Sequence, residues 1–428
     1  MNKNVLKFAA LICVSLTSSS AMASRGGIHA HKVEPITLSV VCMPTDEPQY
    51  VGGGQGEFIT TPLVYARQVL KEPVIGLFCN LNVMNDFVKV GDYNLPPVKI
   101  TFLPTPENIR LLGEFTYLVN LDLFQCNLGK QHVDSLIYVL ERVKHLQSLS
   151  LAQNFLGKDM NLLAPALVNL GSLTSLDLAG VLPDPDFFVV LPRLPRLTRL
   201  VLASNYILQG NSGLRLADSL RQFCGLIYLD LHNNELDEAG YVAIEALAGH
   251  KDMEYLNLSE THMGPKYLSV LTSGLQGKAK LKGLELSDNL FGDMNCRMTR
   301  DNTIALASLL ESLPTLELLD LDHIRIADDV AETIIPALRN HRSLKRLSLR
   351  GNQISFRGHK ALEQVLGDLG SLEVLMFDQG GCTNYHNTSG LYEVALKHPS
   401  LMTVDLWPDL AREKDRHRKY AKTSSELE

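Results

Sequence analysis

The stretch LQSLSLAQNFL, from Leu146 to Leu156, carries the pattern that decides the fold. Its frame is L-x-x-L-x-L, usually followed by Asn and another apolar residue. The frame recurs ten more times, starting at Leu118, Leu173, Leu197, Leu226, Met253, Leu281, Leu316, Leu344, Leu372 and Leu401. Most starts are 27 to 29 residues apart, with one interval of 24 and one of 35. A fixed period in this range predicts a solenoid, in which each repeat packs only on its neighbours.

Each repeat is expected to contain one strand and one helix. The L-x-L core alternates apolar and variable residues, which is typical of a strand with one buried face. The segment after the Asn has helical spacing, as in Val133, Leu136, Ile137, Leu140 and Val143. Parallel strands stack at ~4.8 Å, whereas helices need ~8–10 Å. This mismatch predicts a horseshoe with the parallel sheet on the concave face and the helices on the convex face.

The asparagines of the repeat are predicted to be structural. Where a strand leaves the stack, backbone N–H and C=O groups lose their partners, and one buried carboxamide can satisfy both kinds. These residues are Asn154, Asn205, Asn234, Asn289 and Asn352.

The 28-residue unit with a full helix resembles the ribonuclease-inhibitor-like class of leucine-rich repeats. The match is carried by the leucine frames and by followers such as Leu236–Gly240 and Ile354–Gly358, each with Gly four residues past the last frame position. It covers roughly residues 95–410. The resemblance implies an α/β leucine-rich-repeat solenoid and a binding scaffold, although some members regulate enzymes. One unit departs from the pattern through a proline-rich stretch (Pro183, Pro185, Pro192 and Pro195), which forbids a regular helix.

The chain is predicted to have four parts. Residues 1–23 read as a signal peptide, with a cleavage site after Ala23, so we expect a secreted or periplasmic protein. Residues 24–94 lack the frame and are predicted to form an N-terminal cap or small module. Residues 95–410 are the repeat domain, with about eleven repeats, and residues 411–428 form a charged C-terminal tail.

Charge and motifs exclude several function classes. The chain has a net charge of −7, or −9 without the two lysines of residues 1–23, and would repel nucleic acid. Beyond residue 23, no run is long and apolar enough to span a membrane. The sequence contains no G-x-S-x-G or H-E-x-x-H motif. We therefore expect no enzymatic activity, no metal and no cofactor.

Six cysteines remain after residue 23. Cys42 and Cys79 are the most plausible disulfide pair in an exported chain. Cys126 takes the Asn position of its repeat, where a buried thiol is expected, and Cys224 is expected in the core as well.

The residues beside the strand leucines should point into the concave face. Tyrosines and the only tryptophan lie there among charges, a composition typical of binding hot spots. The predicted partner-binding residues are Asn120, Asp122, Phe124, Asp177, Arg199, Tyr228, Asp230, His232, Tyr255, Asn257, Glu285, Asp320, Asp322, Arg346, Arg350, Asp405 and Trp407.

Two interpretations of this face compete. In one, Leu-Asp-Leu is simply common in the class, and the aspartates are solvated. In the other, which we favour, an acidic trough binds a basic protein partner, and the protein acts as a monomeric exported scaffold. If the source is a host-associated bacterium, the partner is expected to be a host protein. Glu285, Asp320 and Asp322 cluster, but a flat sheet offers no loop to wrap a calcium ion, so a solvated acidic spot is expected.

Two alternatives remain open. The protein could regulate an enzyme, for example by activating a small GTPase through Arg199, Arg346 or Arg350. Residues 24–94 could instead hold an uncharacterised activity of their own.

Overall fold

The computed structural model describes residues 36–42, 74–78, 88–90, 93–95, 98–102, 104–291, 298–378, 389–407 and 420–421. Its side chains are described within residues 104–291, 298–377, 391 and 394–404. The predicted signal peptide and most of the tail lie outside these ranges. The chain forms two compact units, Met1–Ser148 and Leu149–Glu428.

The first unit contains parallel strands and the first described helices. Strand β1 pairs in parallel with β2 and β5, and β2 pairs in parallel with β6. A short antiparallel pair joins β3 to β4. The elements are β1 (Ile36–Cys42), β2 (Val74–Phe78), β3 (Val88–Val90), β4 (Tyr93–Leu95), β5 (Val98–Phe102), α1 (Pro106–Leu112), β6 (Asn120–Asp122) and α2 (Val133–Leu140). Strands β1 and β2 coincide with apolar runs of the sequence.

The second unit is built from the leucine frames. Strand β7 (Ser148–Ser150) runs into it, and parallel pairing connects each later strand to the next as far as β16. An antiparallel β17 closes the series. These strands are β8 (Ser175–Asp177), β9 (Arg199–Val201), β10 (Tyr228–Asp230), β11 (Tyr255–Asn257), β12 (Gly283–Glu285), β13 (Leu318–Asp320), β14 (Arg346–Leu349), β15 (Val374–Asp378), β16 (Thr403–Trp407) and β17 (Tyr420–Ala421).

A helix follows most strands of this unit. The α-helices are α3 (Met160–Val168), α4 (Gly210–Gln222), α5 (Glu238–Ala246), α6 (Leu268–Leu275), α7 (Arg300–Glu311), α8 (Asp328–Ile334), α9 (Phe356–Leu366) and α10 (Ser389–Lys397). The frame leucines and the apolar helix faces are buried together as the core. After β8 the chain instead forms a 3-10 helix, Pro185–Arg193. This confirms the predicted effect of the prolines, which lack the N–H that an α-helix needs. The unit is an α/β leucine-rich-repeat solenoid.

The repeat asparagines are structural, as predicted. The Asn234 side chain is fully buried and donates to the carbonyls of Leu202 and Leu231, at 2.9 and 2.8 Å. Its Oδ1 accepts the N–H groups of Asn205 and Ile207, at 3.0 and 3.1 Å. One carboxamide thus satisfies backbone groups of two neighbouring repeats, which closes the turn after each strand.

A buried lysine replaces an aliphatic residue on the helix side of the core. Lys278 is 1% exposed, and its Nζ donates to the carbonyls of Leu247 and His250, both at 2.7 Å. Burial lowers the pKa of Lys278 to about 8. His250 is also buried, and burial lowers its pKa to about 4. These groups satisfy carbonyls that the end of a helix leaves without partners.

The cysteines differ from expectation in two respects. Cys224 is an exposed free thiol, because the neighbouring Phe223 takes the buried position. Cys126 is buried, as predicted, but it is disulfide-bonded and not a thiol. The repeat pattern of the sequence could not distinguish a free thiol from a disulfide-bonded cysteine at position 126, since both fill the same small buried position. The other half of the bond lies outside the described side chains, as does the predicted Cys42–Cys79 pair.

No described helix combines the length and the hydropathy that crossing a membrane would require.

Candidate binding face on the strands

Strand register in the second unit arranges the predicted site residues in columns. Arg199 pairs with Tyr228, Tyr228 with Tyr255, and Tyr255 with Gly283. We name this row the first column, and it continues through Leu318 and Arg346. The central column lies two residues further along each strand and contains Asp177, Val201, Asp230, Asn257, Glu285, Asp320, Ser348 and Met376. The third column, two residues beyond that, includes His232, Asp322 and Arg350.

The first column contains a continuous stack of side chains. The Arg199 guanidinium carbon lies 3.5 Å from the centroid of the Tyr228 ring. The Tyr228 and Tyr255 rings stack with centroids 4.2 Å apart and planes inclined by 7°. The Tyr255 hydroxyl donates to Glu285 of the central column. The four strands β9 to β12 therefore present one ordered row, Arg199–Tyr228–Tyr255–Glu285, which we name the aromatic row.

The central column has a structural task that sequence reasoning missed. The carboxylate of Asp177 accepts the N–H of Ala179 at 3.0 Å, and Asp320 accepts the N–H of Asp322 at 3.0 Å. Asp230 and Asn257 do the same for the residues two positions on, His232 and Ser259. This is the Asx-turn, a local bond that Asp and Asn offer to the backbone. The recurring Leu-Asp-Leu or Leu-Asn-Leu at the end of the strand could have signalled it.

Asp230 and Asn257 are also less accessible than predicted. They are 9% and 8% exposed. They can contribute charge or polarity to the face, but little contact area.

Burial changes the acidity of the central column. It raises the pKa of Asp177 above the usual range of a carboxyl group. For Asp320, burial together with the charge of neighbouring Asp322 raises the pKa to about 6. Burial also raises the pKa of Asp322, against hydrogen bonds from Ser348 and the Arg350 N–H. The face is acidic at neutral pH, and its charge decreases as the pH falls toward 6.

Asp230 and His232 are hydrogen-bonded to each other within the face. The His232 Nδ1 lies 2.9 Å from the Asp230 Oδ1. This hydrogen bond raises the pKa of His232 above its usual value. The pair holds the imidazole over the third column, beside the aromatic row.

The acidic cluster of Glu285, Asp320 and Asp322 is present, but its carboxylates are engaged with protein groups. Within the described part of the chain, no group of three or more His, Cys, Asp or Glu side chains is arranged to hold a metal ion.

The remaining predicted residues fall into three groups. Asn120, Asp122 and Phe124 lie in the first unit, where the Phe124 N–H donates to Asp122 at 2.9 Å. Asp405 and Trp407 lie on β16 in register with Met376 and Asp378, and their side chains are outside the description. Arg346 is exposed on β14.

The chain resembles known proteins with leucine-rich repeats. It is 29% identical over 233 residues to the ribonuclease inhibitor of Sus scrofa, covering 53% of this chain and 48% of that protein. It is 29% identical over 160 residues to Protein CARMIL of Dictyostelium discoideum, covering 36% of this chain and 15% of that protein. The chain thus spans about half the length of the first relative and less of the second.

Solved structures show lower similarity. The internalin InlF of Listeria monocytogenes aligns with TM-score 0.45 and 19% identity, over 74% of this chain and 80% of the other. TLR13 in complex with ssRNA13 aligns with TM-score 0.43 and 17% identity, over 69% and 40%. No protein-family model matches the chain. The repeat frame and the strand register show an α/β leucine-rich-repeat solenoid, and the sequence of the chain is similar to that of ribonuclease inhibitor.

Proposed function

We propose that this protein is an exported, non-enzymatic scaffold that binds a protein partner on the strand face of its repeats. The observation that carries the proposal is the aromatic row, Arg199–Tyr228–Tyr255–Glu285. Its members are separated by about one repeat each in sequence and still contact one another across four strands.

The aromatic row is preorganised for binding. Stacking on both sides holds the Tyr228 ring between Arg199 and Tyr255. A side chain that is already ordered loses little conformational entropy when a partner docks. Tyrosine and arginine are also the residue types that most often dominate the energy of an interface.

Charge favours a partner with basic groups next to this row. Asp177, Asp230 and Glu285 lie in the central column on either side of the tyrosines. The Asx-turns occupy one carboxylate oxygen of Asp177 and Asp230 and leave the negative charge in place. Negatively charged side chains of this kind speed up association and fix the orientation of the partner more than they increase affinity.

Substitution of the row tests the proposal. A partner is first isolated by affinity capture, and its dissociation constant is then measured with purified protein. We expect Tyr228→Ala with Tyr255→Ala to weaken binding at least about 100-fold, which is the scale of two hot-spot residues. Phe356→Ala, at an exposed aromatic residue that begins helix α9, is the matched control. Equal affinities for both variants, with unchanged thermal unfolding, would refute the proposed face.

Export is the second part of the proposal. It rests on the N-terminal sequence and is supported by the disulfide bond of Cys126, since such bonds persist in oxidising compartments. Expression of the full chain, followed by fractionation and N-terminal sequencing, tests it. The mature chain should begin at Ser24 outside the cytoplasm; an uncleaved chain retained in the cytoplasm contradicts export.

A further inference from the structure

A second surface lies on the loops that leave the strands. Three large apolar side chains occupy the same loop position in consecutive repeats, directly after the Asn of the frame or its equivalent. They are Phe155, Leu182 and Tyr206, and they are 75%, 51% and 66% exposed. We name them the loop ridge. In the next two repeats the same position holds Glu235 and His262.

Hydrogen bonds connect the successive loops that carry these side chains. The Gly157 N–H donates to the Val181 carbonyl at 3.0 Å, and the Leu182 N–H donates to the Asn205 Oδ1 at 2.7 Å. The loops therefore keep the spacing of the strands, ~4.8 Å. Adjacent exposed apolar side chains at this spacing form a contiguous patch, a feature typical of interaction sites.

The backbone at two of these positions is unfavourable for the residues that occupy it. Leu182 and Tyr206 have φ values of 57° and 54°. This left-handed region favours Gly and Asn, and bulky apolar residues adopt it rarely. In the first unit Asn127 occupies the corresponding position, with φ 53°. His262 shares this conformation, so the conformation belongs to the loop of the repeat, and bulky exposed apolar residues there do not stabilise the fold, which supports a role in binding.

Charged residues next to the ridge define the polarity of a partner. Glu235 continues the row beyond Tyr206, and the exposed Glu260 and Asp288 lie on the following loops. Among the described residues, none of these three acids forms an ion pair. The opposite end of the ridge carries Lys158, beyond Phe155. The loop ridge thus places exposed apolar side chains beside acidic side chains that form no ion pair among the described residues.

We propose that the loop ridge docks a cationic amphipathic segment of a protein partner. Its apolar side chains contact Phe155, Leu182 and Tyr206, and its lysine or arginine side chains lie against Glu235, Glu260 and Asp288. This surface is distinct from the aromatic row, so it can be present whether or not the strand face binds.

Two synthetic helical peptides with the same apolar face test the proposal. One carries lysines beside that face and the other carries glutamates. Fluorescence anisotropy with the full chain should show at least tenfold tighter binding of the lysine peptide. Leu182→Asn with Tyr206→Asn should reduce that binding at least tenfold without lowering Tm, because Asn tolerates the left-handed backbone.

Two further variants make the result specific. His262→Asn changes a residue with the same backbone conformation, φ 53°, but removes no apolar side chain, so peptide affinity should stay unchanged. Tyr228→Ala with Tyr255→Ala should also retain the peptide. Equal affinity for the two peptides, or loss of binding in the strand-face variant but not in the loop variant, would overturn the inference.

Discussion

At the scale of single residues, the central column shows why the sequence overstated the binding role of its aspartates. The aspartates read as a recognition trough, and they do face away from the core. Each of Asp177, Asp230 and Asp320 also closes a turn at the end of its strand. A period-2 pattern predicts which face a side chain occupies, but it carries no information about a bond to the backbone two residues on.

Asp320 gives a pH-dependent prediction. Its pKa is raised to about 6 in the folded protein, so the charged form opposes folding, and stability is lost as the pH rises from about 4 to about 6. Asp320→Asn keeps the turn acceptor without the charge, as Asn257 does in its own repeat. We expect the variant to be more stable by about 1 kcal/mol at pH 7.5 after allowance for solvent screening.

Thermal and urea unfolding at pH 7.5 and below pH 4 check this prediction. The gain in stability should disappear below pH 4, where residue 320 is neutral in both the wild-type protein and the variant. The reciprocal Asn257→Asp should destabilise the protein at pH 7.5. A gain that is the same at both pH values would contradict a charge effect.

Asn234 tests the structural role of the repeat asparagines. Asn234→Ala leaves two carbonyls and two N–H groups without their side-chain partner. We expect a loss of about 3–5 kcal/mol in the free energy of unfolding. Asn211→Ala, at an exposed position of helix α4, is the control, with an expected change within about 0.5 kcal/mol. Similar small losses for both variants in urea titrations would show that Asn234 is dispensable.

At the scale of elements, the entrances of the strands carry alternating charges. Lys282 Nζ lies 2.7 Å from Glu254 Oε2, and Lys345 Nζ lies 2.7 Å from Glu317 Oε2. The hydrogen bond to Glu317, together with the charges of Glu317 and Glu373, raises the pKa of Lys345. At the starts of these consecutive strands, each charged side chain is next to one of opposite sign. This alternation opposes a shift in register between neighbouring strands.

Reversal of one charge should disturb this order. Lys345→Glu places three carboxylates on consecutive strands, and we expect a lower Tm at low ionic strength. The decrease should shrink in 0.5 M NaCl, because salt screens exposed charges. Lys144→Glu reverses an exposed lysine that forms no ion pair among the described residues. A decrease that is equal in both variants, or independent of salt, would exclude the proposed charge order.

The elements themselves were predictable, and the contacts between repeats were not. The leucine spacing places the strands, and the prolines of Pro185–Arg193 predict the missing α-helix. The stack of Arg199 on Tyr228 depends on register between distant residues, which the repeat fixes only once the strands are aligned. The sequence did not reveal the loop ridge, because its residues alternate with buried residues and resemble apolar residues of the core.

At the scale of the whole molecule, the disulfide of Cys126 bears on stability. Cys126→Ser should lower the free energy of unfolding by about 2–4 kcal/mol under oxidising conditions. Wild-type protein in reducing agent should lose a similar amount, whereas the variant should be insensitive to the reagent. Cys224→Ser, at the exposed free thiol, is the control and should leave stability unchanged. A wild-type protein with the same unfolding curve in both conditions would contradict a stabilising bond.

The even register of the columns restricts the shapes that can lie across them. Side chains on one side of an extended segment recur every ~6.6 Å, against ~4.8 Å between strands, so such a segment loses alignment after a single strand. The turns of an α-helix recur every ~5.4 Å and remain aligned with about four strands. The aromatic row spans four strands, β9 to β12. A helical segment therefore matches the spacing of the columns better than an extended one, and we expect a central proline in such a segment to weaken its measured affinity for this face.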